Sequence, residues 1–276
     1  MLLLFCATYP SRCKNQGFMA RRKHIIGTCH LCGNHTKLSY EHVPPEAAFN
    51  DRPIVQASIE RLIKKEEDLN DITGKTFQRG AGGYTLCERC NSLTGSWYAP
   101  AFIEWTYQVA RVLLNAKGEP SLYYLYRIFP LRVMKQIICM FFSTNGEKFR
   151  EAQPNLARFV LNKESKFLDP HIRIYCFYSP SGRSRHSGVA GVLNFQTHTQ
   201  KILSEIVFPP MGYVMSLNRI KPDERLFDMT FFSEYHYNDW KELGLRLPSL
   251  PIYTYLPGDY RNKNEVLDNR QNQNRI

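Results

Sequence analysis

The chain has 276 residues, 43% of them hydrophobic and 13% aromatic, which is enough apolar material for a core and excludes wholesale disorder. Lys and Arg number 36 against 25 Asp and Glu, giving a net charge of +11 that permits a polyanionic partner without establishing one. At roughly 100–200 residues per domain, the length suits one large domain or two small ones.

The N-terminus reads MLLLFCATYPSRCKNQGFM. Its apolar run, Leu2 to Thr8, is too short for a bilayer, which takes about 20 apolar residues. It also lacks the cationic leader and small-residue cleavage site of a secretory signal. The expectation is a soluble, cytoplasmic protein with no membrane partner. Met19 opens a more ordinary beginning, so residues 1–18 read as an over-extended start and 1–24 as an N-terminal arm. Arg21, Arg22 and Lys23 in that arm are candidate phosphate contacts.

Residues 25–97 are polar and dense in Gly, His and Cys. Within them, ASIERLIKKEEDL predicts a helix in an insertion between Glu46 and Gly80. In 98–115, Phe102, Trp105, Val109, Val112 and Leu113 fall near helical spacing, and Gly118 with Pro120 supplies a stop. A second helix is predicted from Leu131 to Phe142, ending near Asn145-Gly146, and a short one from Asn155 to Leu161. The aromatic groups Tyr123-Tyr124-Leu125-Tyr126 and Phe141-Phe142 read as core packing before base stacking.

Past Asp169-Pro170 the runs HIRIYCFYS, GVAGVLNF, KILSEIVF, GYVMSL, MTFFSEY and LPIYTYL are β-branched and aromatic, and turn residues separate them. That pattern predicts an antiparallel β-rich region. The PSGRSRHSG loop places Arg183, Arg185 and His186 at a turn; it reads mainly as solvated, with the two arginines as candidate phosphate contacts. Residues 259–276 have almost nothing apolar and read as a mobile tail. The fold class expected is α+β: a module dense in Cys, His and Gly at 25–97, then a helical and antiparallel β-rich region at 98–258.

Eight cysteines are present, and four form two Cys-x-x-Cys pairs, Cys29/Cys32 and Cys87/Cys90. Each pair makes a tight turn presenting two thiolates to one side of a metal, so the set predicts one structural Zn2+ in preference to disulfides or redox centres. Cys139 and Cys176 sit in apolar runs and read as plain buried thiols. His30 and His35, beside the first knuckle, read as supporting or surface groups.

Between the pairs, Lys37 to Val43 alternates as a strand, and Pro44-Pro45 ends it. Glu41 and His42 close that strand, while Asn91 follows the last cysteine at the start of a helix. A metal joining both knuckles ties that helix to the strand, so an acid, an imidazole and an amide become able to meet.

This layout, C-x2-C, then acidic-His-hydrophobic-x-Pro, then C-x2-C-Asn, resembles the HNH, or ββα-metal, nuclease family. It is closest to the zinc-stapled form of phage recombination endonuclease VII. The resemblance covers residues 25–97, and the rest resembles the long C-terminal region of bacterial HNH proteins. It implies a metal-dependent endonuclease acting on nucleic acid, with double-stranded DNA the expected partner. It also implies that His42 is the general base, that Glu41 and Asn91 ligate Mg2+ or Mn2+, and that the four cysteines hold zinc outside the chemistry. The sequence departs from the family in three places: Glu41 stands where Asp is usual, Gly80 to Thr85 offers no middle Asn, and about 35 residues are inserted after Glu46. The alternative from another class is a zinc-containing nucleic-acid- or protein-binding protein whose catalytic centre has decayed; a thiol redox protein ranks third.

Overall fold

The computed structural model describes residues 2–5, 24–58, 74–180, 184–194 and 199–273. The arm cations Arg21, Arg22 and Lys23, the loop residue Arg183, and most of the helix expected in ASIERLIKKEEDL lie outside the described residues. The first two residues of that segment, Ala57 and Ser58, belong to a strand instead.

The chain is α+β, with four antiparallel sheets. The first half holds β1 (Leu2–Phe5), β2 (Ile25–Thr28), β3 (His35–His42), β4 (Ile54–Ser58), β5 (Lys75–Phe77) and β6 (Gly82–Cys87). Helix α1 (Glu88–Trp97) follows β6 directly. Strands β2-β3-β6 form one sheet and β1-β4-β5 another. The β3/β6/α1 unit is therefore a ββα arrangement whose hairpin connection carries the second small sheet.

Helix α2 (Ala99–Leu114) starts with a proline in its first turn and buries Phe102, Trp105, Thr106 and Val109, the stripe expected from helical spacing. Strand β7 (Ser121–Ile128) leads into α3 (Pro130–Thr144), nearly every residue of which is buried. Buried on all sides, α3 is the central strut of the molecule. Its Lys135 is fully buried, with Nζ donating to the Asn162 and Lys163 carbonyls at 2.6 and 3.0 Å. Short helices α4 (Glu147–Ala152) and α5 (Pro154–Leu161) complete the helical layer.

The large sheet runs β12-β8-β11-β10-β9, from β8 (Arg173–Tyr178), β9 (Arg185–Asn194), β10 (Thr199–Phe208), β11 (Met211–Ser216) and β12 (Phe227–Asp228). Its side chains alternate between two cores. Ile174, Cys176, Tyr213 and Met215 join the cluster of α2 and α3, while Tyr175, Phe177 and Val214 join Leu250, Ile252 and Tyr260 behind the sheet. The first cluster also contains Cys29, Leu38, Leu86 and Cys90, so one continuous core runs from the ββα unit into the C-terminal region.

Several expectations need correction. MTFFSEY is a 3-10 turn over Thr230–Glu234 because the Asp228 carboxylate accepts from the Thr230 N–H at 2.9 Å and closes a local turn. LPIYTYL carries no strand; its Leu250 and Ile252 cover the back of the sheet as an irregular strap, and Pro251 has no N–H to donate to a ladder. Strand β13 (Lys241–Pro248), paired with β7, went unread although Leu243, Leu245 and Leu247 alternate with the two-residue period. Of the β7 tyrosines, Tyr126 is fully buried, whereas Tyr123 is 61% exposed. Where composition reads a mobile tail, α6 (Lys263–Gln273) begins with a capping box. There the Glu265 carboxylate accepts from Asn262 N–H at 2.6 Å, and the Asn262 amide oxygen accepts from Glu265 N–H at 3.0 Å.

Candidate functional site

The first knuckle is the tight loop joining β2 to β3. Cys29 N–H donates to the Asn34 carbonyl and Gly33 N–H donates to the Cys29 carbonyl, both at 2.9 Å, with Gly33 at a φ of 80° that only a residue lacking Cβ adopts freely. The second knuckle is the junction of β6 and α1, where Cys87 is the helix N-cap and its sulfur accepts from Cys90 N–H at 3.5 Å. Pairing of Cys87 with Leu38 on β3 brings the two turns together. All four sulfurs lie within 4.8 Å of one another, close enough to hold one metal ion. Packed this closely, the thiols act on each other. The hydrogen bond with Cys90 pulls Cys29 down to about 4, and the same bond raises Cys90. Four thiolates in one such cluster need a cation. His30 stands beside this centre with Nδ1 at 3.2 Å from the Phe142 carbonyl, and His35 is exposed. Cys139 and Cys176 are fully buried free thiols, as their apolar context predicts.

The three residues expected to carry chemistry sit on the same ββα unit. Asn91, in the first turn of α1, donates from Nδ2 to Ser39 Oγ and to the Tyr40 carbonyl, both at 3.0 Å. The amide is thus locked to β3 one residue before Glu41, and its Oδ1 has no hydrogen-bond partner among the described residues. Glu41 and His42 pair with Gly83 and Gly82 of β6. That approach is so close that a Cβ on Gly82 would fall 2.1 Å from the Glu41 carbonyl oxygen.

Glu41 is only 7% exposed, and burial lifts its carboxyl to about 8. No cation stands against it among the described residues, and Cys139 of α3 is a neighbour. The sequence did not foresee this burial, since the neighbouring Cys139 lies roughly a hundred residues further along the chain. His42 is half-buried, and desolvation pushes its imidazole below the ordinary value. The Tyr40 ring packs edge-on against it with centroids 5.0 Å apart, and Nε2 is buried without a partner among the described residues.

Two residues near this site were missed in sequence. Asn50, 1% exposed, donates to the Pro44 and Ala81 carbonyls at 2.6 and 2.8 Å and accepts from Ala81 N–H at 2.6 Å. It clamps the two ends of the long hairpin connection together, directly beyond His42. Arg79, exposed, lies 5.3 Å over the Tyr40 ring and brings a cation to the His42 side of the unit. An Asn in a loop carries no local signal for such a clamp, since Ala81 lies 31 residues away.

Arg185 is a correction. Its guanidinium is 1% exposed, ion-paired to Glu205 at 2.6 Å, and donates to the carbonyls of Thr254, Leu256 and Asp259. A cation whose donors are spent internally cannot contact a phosphate. His186 of the same expected turn is 5% exposed, also inside β9.

No protein-family model matches the chain, and neither a curated protein nor a solved structure matches it. Among the described residues, no helix is long and apolar enough to cross a membrane.

Proposed function

We propose that the chain is a zinc-containing, metal-dependent endonuclease that hydrolyses phosphodiester bonds in nucleic acid, with double-stranded DNA the expected substrate. The observation that carries this reading is the latch from Asn91 to Ser39 and Tyr40, which seats an amide oxygen beside the Glu41-His42 strand end. In the cysteine centre, the 3.8 Å between Cys32 Sγ and Cys87 Sγ is the edge of a tetrahedron built on Zn–S bonds of about 2.3 Å. Zn2+ there staples strand to helix and takes no part in the reaction.

His42 is the general base. Desolvation lowers its pKa, which keeps the imidazole neutral and able to accept a proton at physiological pH. Arg79 supplies the nearby positive charge for the phosphodiester. Glu41 and Asn91 offer hard oxygen donors of the kind Mg2+ or Mn2+ prefers, and Glu41 has no other cation. An ion so held supplies charge neutralisation at the phosphate. A carboxyl lifted to about 8 is mostly protonated at neutral pH, so holding the ion costs it a proton.

One observation favours a second reading. Glu41 is buried with its carboxyl lifted to about 8, and a buried, protonated acid suits a zinc-stabilised binding protein without catalysis. Plasmid nicking separates the two. Purified protein with Mg2+ or Mn2+ nicks supercoiled plasmid, and His42→Ala lowers the rate by about 10²–10⁴-fold while zinc stays at one per chain. Equal behaviour of wild type and His42→Ala rejects the nuclease and leaves the binding protein.

A further inference from the structure

The ribbon of β7 and β13 has two unlike faces. Its inner face is anchored: Tyr126 is fully buried with its ring 4.5 Å from Trp105 of α2, and Leu245 and Leu247 of β13 are buried on the same side. Its outer face carries the cross-strand pairs Tyr123–Arg246, Leu125–Gly244 and Arg127–Glu242. Tyr123 and Leu125 are 61% and 47% exposed there. The Tyr123 ring is exposed yet does not stand free. A Cβ placed on Gly244 would fall 2.2 Å from its Oη and 3.0 Å from its Cζ, so the outer end of the ring lies down on the diagonal neighbour across the ribbon. Only glycine leaves that room, which gives this strand-interior glycine a packing reason. The ring thus covers backbone on one side and is open to solvent on the other, and no other aromatic ring stacks on it among the described residues.

The charges on this face select the occupant. Arg127 is spent on Glu242, with Nε 2.6 Å from Oε1. Arg246, exposed and directly opposite Tyr123, forms no hydrogen bond or ion pair among the described residues and is the uncompensated charge. An open aromatic face beside a free guanidinium matches a nucleotide, whose base stacks while its phosphate meets the cation. A base inside a duplex has both faces covered by its neighbours, so the base that fits is an unpaired one. A second copy of the chain suits the face less well, because a two-fold contact sets a patch with an excess cation against the same excess. The net charge of +11 likewise favours a polyanion.

We propose that the outer face of the β7–β13 ribbon binds an unpaired DNA strand, with a base stacked on Tyr123 and a phosphate on Arg246. The proposal deepens the nuclease reading and rests on it for the choice of DNA. Leu125, the direct partner of Gly244, lies next to the ring and widens the apolar platform. Every base has a π-face, so stacking here adds affinity for unpaired sequence without reading it.

The test uses the full chain without added Mg2+ or Mn2+, so that strands are bound and not cut. Fluorescence anisotropy compares a labelled oligothymidylate of about 15 nucleotides with a wholly abasic strand of the same length and charge. Wild type prefers the thymidylate strand about tenfold. Tyr123→Ala abolishes the preference, and Tyr123→Phe keeps it because stacking uses the ring. Gly244→Ala retains Tyr123 and Arg246 but sets a Cβ against the mobile end of the ring and lifts it, so the preference falls. Arg246→Gln weakens both strands alike and lowers the salt slope by about 1. All three positions are exposed, and unfolding midpoints stay near wild type. Equal affinity of wild type for the two strands, or a preference unchanged in Tyr123→Ala, overturns the proposal. Self-association that sedimentation finds in wild type and not in Tyr123→Ala, without any strand preference, gives the face to a second copy and overturns it too. Wild-type plasmid nicking with Mg2+ is measured beside these titrations. Nicking without base-dependent binding rejects this face and leaves the nuclease, while base-dependent binding without nicking rejects the nuclease and leaves a strand-binding protein.

Discussion

Asn50 shows how a single side chain decides the geometry next to the proposed base. Its amide satisfies the Pro44 carbonyl and the Ala81 N–H, and it adds a second donor to the Ala81 carbonyl, which also accepts from Val43 N–H. Asn50→Ala leaves the Pro44 carbonyl and the Ala81 N–H without this partner, and a loss of about 2–4 kcal/mol is expected. The check is a urea midpoint, together with zinc content that stays at the wild-type level because the knuckles are untouched. His186 gives a pH signature. Its folded pKa of about 3 lies below the unfolded value near 6.5, so its contribution to stability is complete above pH 6.5 and is lost as pH falls toward 3. At about 1.4 kcal/mol per unit, wild type loses about 2 kcal/mol through this group between pH 6.5 and 5. Denaturation of wild type and His186→Asn at both pH values checks it: the variant has the shallower dependence, and equal slopes reject the assignment.

At the scale of elements, the junction of β6 and α1 does two jobs through one residue. Cys87 ends the strand as a metal ligand and caps the helix by accepting from Cys90 N–H. Cys87→Ser keeps a capping oxygen and removes a thiolate, which separates the roles. The expected result is loss of bound zinc and rapid proteolysis within 24–58 and 82–97, since metal affinity and local folding are one free energy. Full zinc with unchanged protease resistance rejects the centre. Much of this element was legible in sequence because a Cys-x-x-Cys turn is local: its spacing fixes where both sulfurs point. Helix α2 was legible for the same reason, since a repeat near 3.6 marks its buried stripe, whereas α3, buried on nearly every side, was legible as an apolar run that stops near Asn145-Gly146. The turn at Thr230–Glu234 was not, because its aromatic run matches a strand in composition while one aspartate hydrogen bond sets its backbone. The tail helix was missed differently. Its capping pair Asn262 and Glu265 was present in the sequence, and the lack of apolar residues outweighed it.

Across the whole molecule, the Arg185–Glu205 pair ties the edge of the large sheet to the strap behind it. Arg185 joins β9, β10 and the segment from Thr254 to Asp259, with Tyr260 stacked near its guanidinium at 5.8 Å. Arg185→Ala leaves the Glu205 carboxylate fully buried and uncompensated, and a loss of about 3–5 kcal/mol is expected. Thermal unfolding measures it; the double replacement Arg185→Met with Glu205→Leu recovers much of the loss, because the cost lies in the orphaned charge. Plasmid nicking by Arg185→Lys is expected at the wild-type rate when the protein is folded, since this cation faces inward.

The sequence by itself determined the four-cysteine centre, the ββα order around it, and the helical and then β-rich character of the chain beyond Trp97. These depend on spacing along a few residues, and local geometry converts spacing into direction. Only the tertiary structure decided that Glu41 is buried with Cys139 of α3 as a neighbour, that Arg185 is spent on Glu205, and that His30 stands against the Phe142 carbonyl. Those outcomes join positions tens to more than a hundred residues apart. Burial and partner choice there are set by which surfaces the continuous core brings together, and no local pattern encodes that.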